Sequence, residues 1–322
     1  MLGRARRLYT SAGRPPYVFH TASQWLEKPP YKDDPPKRRI LEPTNPIVQW
    51  RQKSLQQHFR DAGDPPSAGE DFFLLTNLRH NSGIALAVAD GVGGWANQGV
   101  DCSMFSQALM YYASKHFDST GVDMTPSECM QLAYYDVLVD DTIDLGSSTA
   151  CLATLNSHSG ILTSANLGDS GLYIIRSSSI LYHAPPQTHY FNCPRQLAKL
   201  KRPRGRNIGA IHDSPSHAET YSTTLKDGDI VILYTDGLVD NVFQAQILEI
   251  CSLVMKTSAP DETLANSIAY YLLWVARQSM FSDAVTPFEV ESSRVPRRRG
   301  EPIYRGGKVD DCTVVVALVR ET

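Results

Sequence analysis

The 322-residue sequence has no CxxC pair, and its six cysteines (Cys102, Cys129, Cys151, Cys193, Cys251 and Cys312) are scattered. That argues against a disulfide framework and for buried thiols in a reducing compartment. No apolar run approaches the roughly 20 residues needed to span a bilayer, so no transmembrane segment is expected. The formal net charge is −3 and the basic residues are not gathered on the folded part, so nothing indicates a nucleic-acid partner. Acids are missing before Glu27, whereas Arg4, Arg6, Arg7 and Arg14 all precede it. This stretch is rich in Ser, Thr and Ala and lacks the apolar core of a secretory signal. Residues 1–27 therefore read as a mitochondrial transit peptide, which places the protein in the matrix. A disordered basic tail is the alternative. Residues 28–66 are broken by prolines and read as a linker or loosely held extension, leaving 67–322 as the folded domain.

What is present from Gly69 onward is an alternation of strand-like and helix-like runs. "DFFLLT" and "IALAVAD" are short apolar runs bounded by polar turns, hence strands. "SMFSQALMYYASKHF" sets Phe105, Ala108, Leu109 and Tyr112 at helical spacing, with Ser103 as N-cap, and a second helix follows Pro126. Four strand runs come next in close succession ("SSTACLATLN", "ILTSANLG", "GLYIIRSS", "ILYHA"), which predicts an antiparallel meander. "ETYSTTL" and "DIVILYTD" are split by the turn "KDGD". Helices are predicted around Ala245–Met255 and Asp261–Phe281, and "CTVVVALVR" is the last strand. Strand runs with helices in blocks predict an α+β fold with large antiparallel sheets.

Three kinds of chemistry compete for the glycine-dense turn and its counterparts. Gly91–Ala96 formally fits a dinucleotide loop, but no parallel strand with a terminal acid completes the unit, and Asp90 would lie against the pyrophosphate. "GDSG" at Gly168–Gly171 suggests a protease serine, but no partner motif accompanies it, and an Asp-Ser turn accounts for Ser170. The third reading is a carboxylate metal centre. Glu70, Asp71, Asp90, Asp169, Asp236, Asp310 and Asp311 all stand at strand ends, and Asp90 and Asp236 are each followed by glycine. Clustered acids repel one another unless divalent cations neutralise them. An oxygen-only donor set favours Mg²⁺ or Mn²⁺.

"GED", "VADGVGGW", "GSSTACLATL", "ANLGDSGLYIIR", "LYTDGLVDNVF" and "DDCTVVVAL" stand in the order and spacing of the metal-dependent type 2C Ser/Thr protein phosphatases. The sequence resembles that family from about Ser67 to Val319. "GVGGW…GVD" and "THYFNCPRQL" look like its mitochondrial subfamily. The resemblance implies a four-layer αββα sandwich of two antiparallel sheets flanked by helices, with two Mg²⁺ or Mn²⁺ ions at one edge. Carried over residue by residue, Asp90 is the bridging carboxylate and Gly91 gives a carbonyl. Asp236 and Asp310 are the other direct ligands, and Glu70 binds through water. Asp169 belongs to a third, weaker position, and Asp71 and Asp311 stand behind the ligands.

Two departures from the family pattern stand out. The histidine expected after Asp-Gly is Val92, so the leaving group must take its proton from water or another side chain. The arginine expected four residues before Glu70 is Pro66, which leaves the phosphate-binding base open among Arg79, Arg195, Arg305 and Lys308. The implied activity is hydrolysis of phosphomonoesters on Ser/Thr by a metal-activated water. Implied partners are phosphorylated matrix proteins, enzymes of coenzyme Q synthesis among them, acted on by a monomer. The rival is a catalytically weak phosphatase-fold scaffold. Residues 287–307 border Asp310 and read as a recognition loop or a solvated one.

Overall fold

The closing run Cys312–Glu321 is apolar at nearly every position, and both of its faces are covered. Val315, Ala317 and Val319 enter one hydrophobic cluster; Cys312, Val314, Val316 and Leu318 enter another. Ile230–Tyr234 splits the same way, with Val231 and Leu233 on one side and Ile230, Ile232 and Tyr234 on the other. Side chains alternate across a strand, so a run buried on both faces belongs to a sheet sandwiched between two layers.

The computed structural model describes residues 15–30, 41–59, 63–120, 124–200, 211–296 and 302–322. In chain order the described elements begin with β1 (Tyr17–Leu26), α1 (Pro46–His58), β2 (Asp71–Asn77), β3 (Gly83–Asp90), α2 (Ser103–Thr120) and α3 (Pro126–Val139). β4 (Gly146–Ser148), β5 (Ala150–Asn156), β6 (Ile161–Leu167), β7 (Gly171–Arg176) and β8 (Ser179–His183) follow. Then come the short β9 (Thr188–Tyr190), β10 (Cys193–Pro194) and β11 (Leu197–Lys199), followed by β12 (Glu219–Thr224) and β13 (Ile230–Tyr234). The chain ends with α4 (Asp236–Val239), α5 (Gln244–Met255), α6 (Asp261–Met280), α7 (Pro287–Arg294) and β14 (Cys312–Glu321).

One sheet has the order β1-β14-β13-β7-β8 and the other β12-β6-β5-β3-β2, all pairs antiparallel. The sheets pack face to face. α2 and α3 cover the second sheet, and α5 and α6 cover the first, giving the expected α+β sandwich of four layers. Local signals set the helix starts. Thr125 and Glu128 form a reciprocal capping box for α3, and Asn45 caps α1 ahead of Pro46. Ser103 is the first residue of α2, and the capping acceptor is Asp101 Oδ1, which receives both Ser103 N–H and Oγ–H.

The structure differs from the sequence expectation in three places. The predicted meander is divided: β5 pairs β6 and β7 pairs β8, but Gly168–Ser170 carries the chain from one sheet to the other. "KDGD" is the second such crossing, held by Asp229, which accepts Lys226 N–H and two bonds from the Arg176 guanidinium. Residues 17–26, expected within a removable peptide, form β1 and pair with β14 along their whole length. α1 likewise lies inside the expected linker, with Ile47, Val48 and Leu55 buried. β1 and α1 thus pack onto the sandwich, within the stretches expected as targeting peptide and linker; residues 1–14 lie outside the described residues. Finally, residues 287–294 of the expected loop are helix α7, capped by Thr286, and 297–301 lie outside the described residues.

Candidate metal centre

Every acid singled out in the sequence stands at one end of the sandwich. β2 starts and β3 ends there, with Asp71 paired opposite Asp90. β13 ends there, two residues before Asp236, and β14 starts there just after Asp310 and Asp311. The crossing at Gly168–Ser170 brings Asp169 into the gap. Antiparallel pairing makes this unavoidable: strand ends that alternate along the chain come together in space. Carboxylate oxygens of Asp90, Asp169 and Asp236 lie within 4.8 Å of one another. Backbone packing is close enough that both Asp-Gly pairs need the glycine. A Cβ on Gly91 would sit 2.5 Å from the Cys102 carbonyl oxygen, and one on Gly237 would sit 2.0 Å from that of Asp311.

Two ammonium groups stand among these acids. Lys308 Nζ donates to Asp236 Oδ2 (2.5 Å) and Asp240 Oδ2 (2.7 Å) and lies 3.1 Å from Asp310 Oδ2. Lys28 Nζ donates to Glu70 Oε2 (2.7 Å) and Asp310 Oδ1 (3.1 Å) and lies 3.3 Å from Asp311 Oδ2. Burial pushes Asp310 upward, but Lys308 and Lys28 outweigh it and hold the carboxyl below its usual range. Asp90 and Asp169 are pushed well up, first by burial and then by the charge of Asp236. Asp71 is pushed up by burial and then by Asp311. It is fully buried behind the cluster and accepts Thr235 Oγ–H at 2.7 Å. Asp311 works on the backbone: its two oxygens accept Lys28 N–H (2.8 Å) and Glu70 N–H (3.0 Å). It thereby fastens β1 and the start of β2 to the start of β14.

The family described as Stage II sporulation protein E (SpoIIE) matches residues 80–272. The chain is 37% identical to 5-azacytidine resistance protein azr1 of Schizosaccharomyces pombe, over 80% of this chain and 84% of that one. It is 35% identical to the human protein phosphatase PTC7 homolog over 76% of this chain and 77% of that one, and the zebrafish homolog matches at 35% over 79% and 82%. The chain belongs to the PPM family of metal-dependent protein phosphatases. This phosphatase, a hydrolase of the protein Ser/Thr class, also resembles the solved photosystem II phosphatase PBCP. The TM-score is 0.66 at 26% identity, covering 94% of this chain and 98% of that one. The catalytic domain of PstP, solved with two manganese ions, shares the fold at TM-score 0.54 and 16% identity.

The phosphatase's acid cluster fits divalent cations on its own chemistry. Asp236 Oδ1 and Asp169 Oδ1 are buried with no hydrogen-bond partner, an arrangement that costs free energy unless a ligand completes it. The donors are all hard oxygens. Of the four bases considered from sequence, Lys308 lies in the cluster. Arg305 is 70% exposed and paired with Glu289, and Arg79 is at the far end of the β2–β3 hairpin. Arg195 has its backbone carbonyl against Gly168, next to Asp169, and its side chain forms no ion pair among the described residues. Ser170 is a buried turn residue whose Oγ bonds Thr149 Oγ1 at 2.7 Å. Sequence reading missed Lys28 and Asp240. Lys28 was hidden in a stretch taken for linker, although the register that pairs Leu26 with Cys312 puts it opposite Asp310. Asp240 follows Asp236 by one helical turn, a spacing that could have revealed it.

Proposed function

We propose that Asp90, Gly91, Asp236, Asp310 and Glu70 hold two Mg²⁺ or Mn²⁺ ions, and that Asp169 with Asp240 serves a third position. The convergence of Asp90, Asp169 and Asp236 carries this reading. Bound there, such ions make a water nucleophilic at neutral pH and offset charge on the phosphoryl oxygens. The chain's own part is to fix the ligands. Asp311 and the reciprocal Thr149–Asp90 bonds (Thr149 N–H to Asp90 O, Asp90 N–H to Thr149 Oγ1) hold the strand ends in register, and Lys308 draws Asp236, Asp240 and Asp310 together. Asp90→Asn and Asp236→Asn should each lower kcat on p-nitrophenyl phosphate by at least about 100-fold while the melting temperature in EDTA stays near wild type. Wild-type turnover in either variant, or phosphopeptide binding without turnover at millimolar Mn²⁺, would overturn the catalytic reading.

The proposed substrates are phosphoproteins of the mitochondrial matrix, with enzymes of coenzyme Q synthesis as candidates, and the proposed working form is a monomer. The basic, acid-poor start supports the location. Because Tyr17 N–H bonds Ser157 O and Thr322 N–H bonds Pro16 O, a transit peptide compatible with the sandwich ends before Pro16. Phosphosites that rise in matrix proteins when the chain is deleted, and that are restored by wild type but not by Asp236→Asn, would identify the substrates.

A further inference from the structure

We propose that Lys28 binds the substrate phosphoryl group, taking over from the arginine that Pro66 has replaced. The proposal rests on the phosphatase reading above. Lys28 follows β1 by two residues, at the mouth of a cleft of about 820 Å³ that also borders Glu70, Gly93, Cys102, Lys308 and Asp310. Its side chain is 20% exposed, and the residue both lines the cleft and contacts the acids. Lys308 lines the same cleft, but it is held by Asp236 and Asp240 at 2.5 and 2.7 Å as well as by Asp310, whereas only one of the contacts of Lys28 is shorter than 3 Å. The contacts Lys28 makes are to Glu70, Asp310 and Asp311, at 2.7–3.3 Å. Cations delivered to the cluster would compete for Glu70 and Asp310, freeing ammonium donors to turn toward an anion in the cleft.

Pro66, where the family pattern has a base, is bonded to the end of β1 three residues before Lys28. Trp25 Nε1 donates to the Pro66 carbonyl at 3.0 Å, and Trp25 precedes Lys28 by three residues. The Lys28 backbone is then fixed by its bond to Asp311 Oδ1. The stem is therefore placed rigidly, and the long side chain could swing from its resting carboxylates to a ligand once cations engage them. Of the other cations weighed, Arg305 is paired with Glu289 and Arg79 stands at the opposite end of the β2–β3 hairpin.

The test uses the full chain loaded with Mn²⁺. Inorganic phosphate affinity is read from the melting temperature as phosphate is titrated, and Mn²⁺ affinity from the electron paramagnetic resonance signal of the free ion. Lys28→Met should weaken phosphate about 10–100-fold, as expected for one lost charge-assisted bond, and raise KM for p-nitrophenyl phosphate in step. Lys28→Arg should restore phosphate affinity to within a few-fold. Mn²⁺ affinity should not fall in either. Phosphate affinity unchanged in Lys28→Met, or lost only in proportion to Mn²⁺, would overturn the proposal and leave Lys28 as a counter-ion. If Lys28→Met fails to fold, Lys28→Gln is read in the same way, and Lys28→Arg must in any case retain phosphate. A wild-type chain that binds phosphate without Mn²⁺-dependent hydrolysis would sink the catalytic reading, not this one.

Discussion

Burial raises several carboxyls in the cleft, and two of them titrate in an accessible range: Asp240 is pushed up to about 7 and Asp311 to about 6. Without metal the folded state therefore holds protons that the unfolded chain, with Asp near 4, releases. A group raised on folding stabilises fully below its unfolded value and loses that contribution as pH rises through its folded one. Lys28 and Lys308 stay charged throughout this range and do not reverse the trend. The EDTA-treated protein should accordingly melt lower at pH 8 than at pH 5.5. Mn²⁺ affinity should rise over the same interval, because binding displaces protons. A melting temperature in EDTA that is flat between pH 5 and 8 would contradict this account.

At the scale of elements, β1 is the part that sequence reasoning undervalued. "YVFHTASQWL" has no clean alternation, and it follows a basic, acid-poor stretch that looks like a targeting signal. Its strand character comes from β14, which offers an open edge ten residues long. Trp25 anchors it, buried against Phe73 (centroids 5.0 Å apart) and hydrogen-bonded to Pro66. Trp25→Ala should cost about 3–5 kcal/mol in urea denaturation. Removing residues 1–14 should leave the unfolding midpoint unchanged, whereas removing 1–28 should lower it sharply and take Lys28 away as well. Equal midpoints for the two truncations would refute the structural role of β1.

Across the whole molecule the cluster draws on segments far apart in the chain: Lys28 and Glu70 meet Asp310 from 282 and 240 residues away, with Asp90, Asp169 and Asp236 between. An unfolded chain cannot present such a set, so the ions bind the native state and raise its stability by mass action. At a hundred times Kd the gain is about 2.7 kcal/mol, or roughly 4 °C in melting temperature for a domain of this size. Differential scanning calorimetry with Mn²⁺ and then EDTA measures this shift. Asp236→Asn should lose most of it, and an undiminished shift in that variant would place the ions elsewhere.

The central strands, the helices that follow Asp101 and Thr125, and the acids at strand ends could be read from the sequence. Each is a local pattern: apolar runs bounded by turns, a capping residue before a helix, a carboxylate beside glycine. The convergence of Asp90, Asp169 and Asp236, the exchange of strands between sheets at Gly168–Ser170 and "KDGD", and the placing of Lys28 opposite Asp310 were settled only by the tertiary structure. Pairing partners in an antiparallel sheet are chosen by which edges and faces remain to be covered. That choice depends on every other strand, and a local stretch of sequence carries no record of it.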